Sequence, residues 1–314
     1  MLFVDDHDWR SKQRESAGWE AFAAERGELH YEGVGAPPVD FVIPHIDAEP
    51  WATYAKSFDQ LCAGLDLEGK VVLDIGSGRP WAAKQFALRG AVAAAMDVNP
   101  HPVVGVGRGW EMAREAGVQL DLFVGDSEKI PIADASVDVT FISAAMHHTN
   151  FLRRLAREMA RVLKPGGVAL IANEPIRSVT ADEGDVLLTF AEPELRHGIT
   201  ERRPLTSDYL HAMTTSGFVI ENMFLGPDTR TDEELLARIS APVVAPAPRE
   251  WLSTKAPRRF ARAAITRWQH IGVEFDARRA LPKGKGGVRR TRLQRHAAIY
   301  GNPDINLVAR KTGQ

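Results

Sequence analysis

The stretch Val71-Val-Leu-Asp-Ile-Gly-Ser-Gly78 indicates the fold of this chain, because it joins an apolar strand to a tight glycine turn. An uninterrupted apolar run is typical of a strand covered on both faces, and glycines let the backbone bend and approach a ligand closely. The segment from Trp81 to Arg89 has helical character, and Pro80 suits the first helical position. No Gly-Lys-Ser/Thr sequence follows the turn, so a P-loop is excluded.

The rest of the chain repeats this alternation of short apolar runs and helix-length segments. The alternation predicts a mainly parallel α/β sheet with helices on both faces, in which ligands bind beyond the carboxyl ends of the strands. We predict helices over 151–163 and 206–216, and further strands over 91–98, 120–124, 137–143, 168–172, 218–225 and 305–310.

Acidic residues accompany the first three predicted strands. Asp74 lies four residues before Gly78, Asp97 ends the second strand, and Asp126 follows the third. An acid about 20 residues after such a motif ordinarily accepts hydrogen bonds from ribose hydroxyls. Carboxylates beside the glycine turn would repel a diphosphate and favour a ligand that carries a cation. S-adenosylmethionine, with its sulfonium and ammonium groups, is such a ligand.

Five motifs follow one another in order: Val71 to Gly78, Met96-Asp-Val98, Gly125-Asp-Ser127, Ile130-Pro-Ile-Ala-Asp-Ala-Ser-Val-Asp138 and Arg161-Val-Leu-Lys-Pro-Gly-Gly167. In these motifs the chain resembles class I S-adenosylmethionine-dependent methyltransferases of the small-molecule, methyltransferase type 11-like branch. The resemblance covers about residues 60–225 and the last strand. It implies a Rossmann-like, doubly wound, seven-stranded sheet whose last strand is antiparallel. Arg79-Pro80 departs from the family pattern, which often has a small residue and glycine there.

The resemblance also implies which residues contact S-adenosylmethionine and its product S-adenosylhomocysteine. The glycine turn would hold the methionine part, Asp74 would orient its amino group, Asp97 would bind the ribose, and Asp126 would accept from the adenine amino group. The full set implied for the cofactor is Asp74, Gly76, Ser77, Gly78, Asp97, Val98, Asp126, Ser127, Ser143 and Ala144.

Candidate catalytic residues follow the fourth and fifth strands. Methyl transfer needs the acceptor, methyl group and sulfur in line, and a neutral hydroxyl acceptor also needs a base, for which histidine is well matched near neutral pH. His147 and His148 lie beyond the fourth strand, and Glu174, which follows the fifth, would orient the acceptor or the histidine. The alternative is that the histidine pair only shapes the pocket.

Metal ligands do not stand out in the sequence. The single Cys62 excludes a disulfide framework and a cysteine-rich zinc site. His147, His148, Asp47 and Glu174 could in principle meet, but no ligand spacing marks them. We therefore expect no metal site.

Composition is that of an ordinary globular protein. The 314 residues are 44% hydrophobic and 25% charged, with a formal net charge of −2. No apolar run approaches the roughly 18 residues of a membrane span, and the first residues lack the basic and apolar regions of a secretory signal. The expected location is the cytoplasm.

The charge is unevenly distributed. Residues 249–295 hold fourteen Lys or Arg and three acids, a net charge of +11, which leaves −13 for the rest. We predict three parts: an N-terminal helical cap or lid over 1–55, with Tyr31, His45 and the Trp residues Trp9 and Trp19 as lid candidates; a core over 56–225 with 303–314; and a basic insertion over 226–302. A basic helix within 255–295 favours transient contact with a membrane surface or an anionic partner. The alternative is that this segment forms a cap over the active site.

The leading functional hypothesis is O-methylation of a small metabolite. The run from His197 to Tyr209 loosely resembles bacterial methyltransferases encoded near glycan-assembly enzymes, which favours an anionic, glycosylated or phosphate-bearing acceptor. RNA methylation through the basic insertion is a second hypothesis, opposed by the absence of aromatic-rich recognition motifs, and DNA is not expected. A non-catalytic binding or regulatory protein is the third. The sequence determines neither the acceptor, the methylated atom nor the oligomeric state.

Overall fold

The computed structural model describes residues 6–27, 48–178, 181–225 and 304–313. The predicted basic insertion, Tyr31, His45 and Asp47 therefore lie outside the described residues. Within these ranges the strands are β1 (Val71–Ile75), β2 (Val92–Asp97), β3 (Leu120–Val124), β4 (Val137–Ser143), β5 (Leu163–Pro175), β6 (Phe218–Leu225) and β7 (Asp304–Lys311).

Helices alternate with these strands, as the sequence predicts. They are α1 (Asp6–Glu25), α2 (Ala48–Cys62), α3 (Trp81–Ala87), α4 (Gly109–Ala116), α5 (Leu152–Val162), α6 (Glu183–Phe190), α7 (Glu192–Arg196) and α8 (Thr206–Thr214). Short 3₁₀ turns span Val106–Arg108 and Met146–His148. In the described parts of the chain, none of these helices combines the length and apolar character needed to cross a membrane.

The strands form one sheet in the order β3-β2-β1-β4-β5-β7-β6. The pairs among β1 to β5 are parallel, whereas β7 runs antiparallel between β5 and β6. This arrangement confirms the predicted Rossmann-like sheet with an antiparallel last strand. The parallel pairing brings the carboxyl ends of β1, β2, β3 and β4 to one edge, where ligands bind in such sheets.

Several boundaries differ from the predicted ones by one or two residues, and the largest difference is in β5. β5 begins at Leu163 rather than at residue 168, because Leu163 already pairs with Val137 of β4. The register then shifts before Val139 pairs with Val168, so the Lys-Pro-Gly-Gly turn lies within an irregular strand start. The predicted domain boundaries at residues 55, 225 and 302 stay predictions.

Each face of the sheet carries its own apolar core. On one face, α5 packs Leu155, Met159 and Val162, a 3.6-residue periodicity, beside Tyr209 and Met213 of α8. Burying both faces explains why the strands are apolar runs rather than alternating sequences.

On the other face, an aromatic cluster joins α2, α3 and β4. Phe58 lies 5.7 Å from Trp81 and 5.4 Å from Phe141, measured between ring centroids, and Phe86 lies 5.5 Å from Phe141. The inclined rings have the edge-to-face geometry that aromatic pairs prefer. Because Trp81 begins α3, this packing fixes the helix that follows the glycine turn.

Candidate functional site

A cavity of about 430 Å³ opens at the carboxyl edge of the sheet. The glycine turn after β1 borders one side, and the end of β4 and the turn after it border another. Most residues predicted to contact a ligand line this cavity, namely Gly76, Ser77, Gly78, Asp97, Val98, Ser127, Ser143, Ala144 and His148. The structure thus gathers into one place residues that are separated by up to about 70 positions in the chain.

The glycine turn needs both of its glycines. Gly76 has a φ of 61° and Gly78 a φ of 49°, a region that residues with a Cβ rarely occupy. A Cβ at Gly76 would also lie only 2.8 Å from the Cβ of Ala145. The backbone N–H of Ser77 donates to the carbonyl of Met96 over 3.0 Å, which holds the turn against the end of β2.

Asp97 occupies the place predicted for it, at the end of β2 and facing the cavity. Its Oδ2 accepts from the backbone N–H of Gly78 at 2.7 Å, and its Oδ1 accepts from that of Asn99 at 2.8 Å. Burial raises the pKa of this carboxyl, and the two hydrogen bonds partly offset the effect. The carboxylate therefore both fixes the glycine turn and offers a hydrogen-bond acceptor to a ligand.

Asp74 and Asp126 lie behind the wall of the cavity rather than in it. Asp74 is 3% exposed and accepts from the backbone N–H of Ala83 at 3.1 Å, which anchors the first turn of α3. Asp126 accepts from the backbone N–H of Glu128 at 2.9 Å and lies 4.0 Å from Lys12 Nζ. What the structure shows for both carboxylates is protein contact, and their predicted ligand contacts stay predictions.

Helix α1 supplies a wall of the cavity, of which the sequence analysis named only Trp19 as a lid candidate. Lys12, Glu15, Trp19, Phe22 and Arg26 line it at intervals of three or four residues. That helical spacing of mixed charged and aromatic residues is the sequence signal that could have identified them. Burial raises the pKa of Glu15 to about 7, although the nearby Lys12 opposes the shift.

The helix is held in place at its far end by charged contacts to α7. Glu25 accepts from Arg196 at 2.6 Å, and its second oxygen lies 2.5 Å from Nε2 of His197. These contacts are solvent-exposed, so each contributes little to stability. They nevertheless orient α1 across the cavity.

Glu174 holds the turn that carries the two histidines. It is fully buried, and its oxygens accept from the backbone N–H groups of Ala145, Met146 and His147 at 2.9, 2.8 and 3.0 Å. Burial alone would raise the pKa of this carboxyl, but the hydrogen bonds from His147 and these amides outweigh it and lower the pKa. Glu174 does not border the cavity and contacts His147, while its predicted role in orienting an acceptor stays a prediction.

His147 is likewise buried behind the cavity wall. Its Nδ1 lies 2.9 Å from Oε2 of Glu174, and its Nε2 lies 3.5 Å from Oε2 of Glu201. Burial would lower the pKa of this imidazole, yet the two carboxylates outweigh burial and raise the pKa to about 9. Its geometry favours a structural role over proton transfer to an acceptor.

His148 is the histidine of the pair that borders the cavity. Its Nδ1 lies 2.5 Å from the carbonyl oxygen of Thr200, so Nδ1 carries the proton and Nε2 has a free lone pair. Trp19 packs edge-on against the ring, with centroids 5.5 Å apart. Burial, together with the neighbouring charge of His147, lowers the pKa of His148 to about 4. A neutral imidazole is the form that can accept a proton.

Sequence reasoning missed Glu201. Its carboxylate faces both histidines, with Oε1 3.7 Å from Nε2 of His148. Glu201 lies in an irregular segment 53 residues beyond His148, so no local spacing connects the two.

Asp74 makes the stability of the ligand-free protein depend on pH. Burial raises the pKa of Asp74 to about 8, so the folded state keeps a proton that the unfolded state loses near pH 4. The free energy of unfolding should therefore fall as pH rises through this window. Asp74→Asn has no proton to lose, and urea unfolding should show its stability relative to wild type rising by more than about 1 kcal/mol between pH 5 and pH 8.

Asp121→Asn, which changes an exposed carboxylate on β3, is the matched control and should leave the pH profile unaltered. Parallel profiles for wild type and Asp74→Asn would contradict the assignment of a protonated, buried Asp74.

Comparison with known proteins finds a family match over part of the chain. Residues 73–171 match the Methyltransf_11 family, described as a methyltransferase domain. The biotin biosynthesis bifunctional protein BioHC of Cellvibrio japonicus is 38% identical over 38% of this chain and 22% of its own length. The phthiotriol/phenolphthiotriol dimycocerosates methyltransferase of Mycobacterium tuberculosis is 31% identical over 49% of this chain and 56% of its own.

The chain thus spans from about a fifth to just over half of these curated relatives. Solved structures resemble it over more of their length. The [4+2]-cyclase SpnF has a TM-score of 0.55 at 20% identity, covering 98% of this chain and 97% of its own. Geranyl diphosphate methyltransferase, solved in complex with S-adenosylmethionine, has a TM-score of 0.53 at 14% identity, covering 92% and 95%. At such identities the similarity shows the fold.

Together, the strand order and the solved structures show a Rossmann-like methyltransferase fold, and residues 73–171 match a methyltransferase domain.

Proposed function

We propose that this protein transfers a methyl group from S-adenosylmethionine to a hydroxyl oxygen of a small metabolite. The observation that carries the proposal is one cavity that combines residues suited to bind a nucleoside with a residue that can accept a proton. Asp97 and the glycine turn line one part of it, and the neutral imidazole of His148 lines another. The first arrangement suits the methyl donor, and the second suits an acceptor that must lose a proton.

The residues present fit S-adenosylmethionine. The hydroxyl of Ser77 is buried and has no hydrogen-bond partner among the described residues, although it belongs to a cavity-lining residue. A buried polar atom left without a partner is costly, and a bound ligand would satisfy it. The left-handed glycines allow the methionine part close to the backbone, and Asp97 can accept from ribose hydroxyls.

When bound, S-adenosylmethionine supplies an activated methyl carbon and a neutral thioether leaving group. The protein has to hold the acceptor oxygen in line with that carbon while its lone pair forms the new C–O bond. The C–S bond breaks with its electron pair going to sulfur, and the hydroxyl proton passes to Nε2 of His148. The hydrogen bond from Nδ1 to the Thr200 carbonyl keeps the ring in the tautomer that can take this proton.

The acceptor side of the cavity favours an apolar molecule. Trp19, Phe22 and Ala23 of α1 supply apolar surface there, and the Arg26 guanidinium lies 5.3 Å from the centre of the Phe22 ring. A cation stacked at the rim suits an acceptor with a negative group beyond its apolar part. One relative, 29% identical over a third of this chain, is the malonyl-[acyl-carrier protein] O-methyltransferase of Serratia marcescens, whose name gives oxygen as the methylated atom.

The predicted ribose contact can be tested through cofactor affinity. Asp97→Ala should weaken binding of S-adenosylmethionine and S-adenosylhomocysteine more than about tenfold by calorimetry, because charge-assisted hydrogen bonds of about 1.5–3 kcal/mol are lost. Asp121→Ala, an exposed acid on the neighbouring strand β3, should bind both as wild type does. An unchanged titration for Asp97→Ala would overturn the ribose assignment, and no binding by wild type would favour the non-catalytic alternative.

The acceptor and the base can be tested together. Incubation of the protein with S-adenosylmethionine and a panel of apolar, hydroxyl-bearing metabolites should yield an O-methylated product by mass spectrometry. With that acceptor, His148→Ala should lower turnover by about 10²–10⁴-fold while cofactor affinity stays unchanged, as expected when a general base is removed.

His211→Ala, on the exposed face of α8, should keep the wild-type rate. Wild-type turnover by both His147→Ala and His148→Ala would eliminate the base. Methyl transfer only to nitrogen, to carbon or to an RNA probe would contradict O-methylation of a small molecule.

A further inference from the structure

Three side chains with metal-ligating atoms converge where His148 borders the cavity. Nε2 of His147 lies 3.5 Å from one oxygen of Glu201, and Nε2 of His148 lies 3.7 Å from the other. The three ligand atoms fall within 4.8 Å of one another. In a tetrahedral zinc site with bonds of about 2.0–2.1 Å, ligand atoms lie about 3.3 Å apart, so only a small closure is needed.

Both imidazole rings direct Nε2 toward Glu201. A carbonyl oxygen can only accept, so the contact with Thr200 makes Nδ1 of His148 the protonated nitrogen. The carboxylate of Glu174 likewise accepts from Nδ1 of His147. Nε2 of His148 thus has a lone pair toward Glu201, and Nε2 of His147 offers one to a metal once its proton leaves, so the three groups converge as a set of cation ligands.

Hydrogen bonds to Nδ1 hold both histidines in place as metal ligands. A histidine that binds a metal almost always donates its other N–H to a carboxylate or a carbonyl, and both arrangements occur here. Glu174 is itself fixed by three backbone N–H groups. The side chains of His147 and Glu201 are only 6% and 12% exposed, so the ligands are preorganised and shielded from water.

We propose that His147, His148 and Glu201 bind a divalent transition-metal ion, with Zn²⁺ the best match. Two imidazoles and one carboxylate form a donor set that suits Zn²⁺ and its neighbours, whereas Mg²⁺ and Ca²⁺ prefer oxygen ligands. The sequence analysis predicted no metal site because no ligand spacing marked its four candidates, which included Glu174 and omitted Glu201.

The inference does not rest on methyl transfer. Metal ligation and proton acceptance both use Nε2 of His148, so they exclude each other in any one molecule. Zn²⁺ must also displace whatever proton lies between His147 and Glu201, and metal binding therefore releases protons.

The test uses the full chain, stripped with a chelator and titrated with ZnCl₂ by calorimetry. Wild type should bind one ion at this site, and Glu201→Gln and His148→Ala should each weaken that binding by at least about tenfold. His211→Ala removes a histidine on α8 away from the cluster and should bind as wild type does. Zn²⁺ binding that is absent, or that neither variant weakens, would overturn the proposal.

A second experiment locates the metal in the wild-type protein and so does not depend on the folding of any variant. Anomalous diffraction at the zinc edge from crystals grown with equimolar ZnCl₂ should show a peak between His147, His148 and Glu201. A peak only at other histidines, or no peak, would overturn it.

Discussion

Asp97 accepts a hydrogen bond of 2.7 Å from the backbone N–H of Gly78, and this contact joins the glycine turn after β1 to the end of β2. The turn could not adopt its left-handed φ angles without glycine, and it would not hold its place above the sheet without the adjacent strand. The contact also leaves the carboxylate at the edge of the cavity. One interaction thus defines both the shape and the charge of the wall proposed to hold the cofactor.

The opposite wall depends on a buried carboxylate at the end of β5. Glu174 gathers three backbone N–H groups and the imidazole of His147, so the turn that carries both histidines closes around it. Removing one partner of a buried charge commonly costs about 3–5 kcal/mol, so this arrangement is rigid. The turn around Glu174 thereby places His148 against Thr200 and Trp19. It also places Nε2 of both histidines toward Glu201.

The sequence predicted what local patterns encode. The apolar run before Gly76 indicated a buried strand. The spacing of Asp97 indicated that it ends the neighbouring strand, because parallel strands bring their carboxyl ends to the same edge of the sheet. Side-chain direction was not encoded in the same way. Asp74 is the residue before the last of β1, and its side chain accepts a hydrogen bond from α3 instead of lining the cavity. Glu174 is the residue before the last of β5, and its side chain is likewise buried.

Contacts between distant segments were the least predictable. Glu15 in α1 and Glu201 in an irregular segment meet His148 only through the tertiary fold. The start of β5 was misplaced because its first pairing, Leu163 with Val137, precedes a register shift that composition does not reveal.

The most direct test of the account is a crystal structure of the protein with S-adenosylhomocysteine. We predict the ribose hydroxyls within hydrogen-bond distance of Asp97, the amino-acid part against the glycine turn, and the sulfur facing the side of the cavity that His148 borders. A ligand bound elsewhere, or one whose sulfur faces away from His148, would contradict the account.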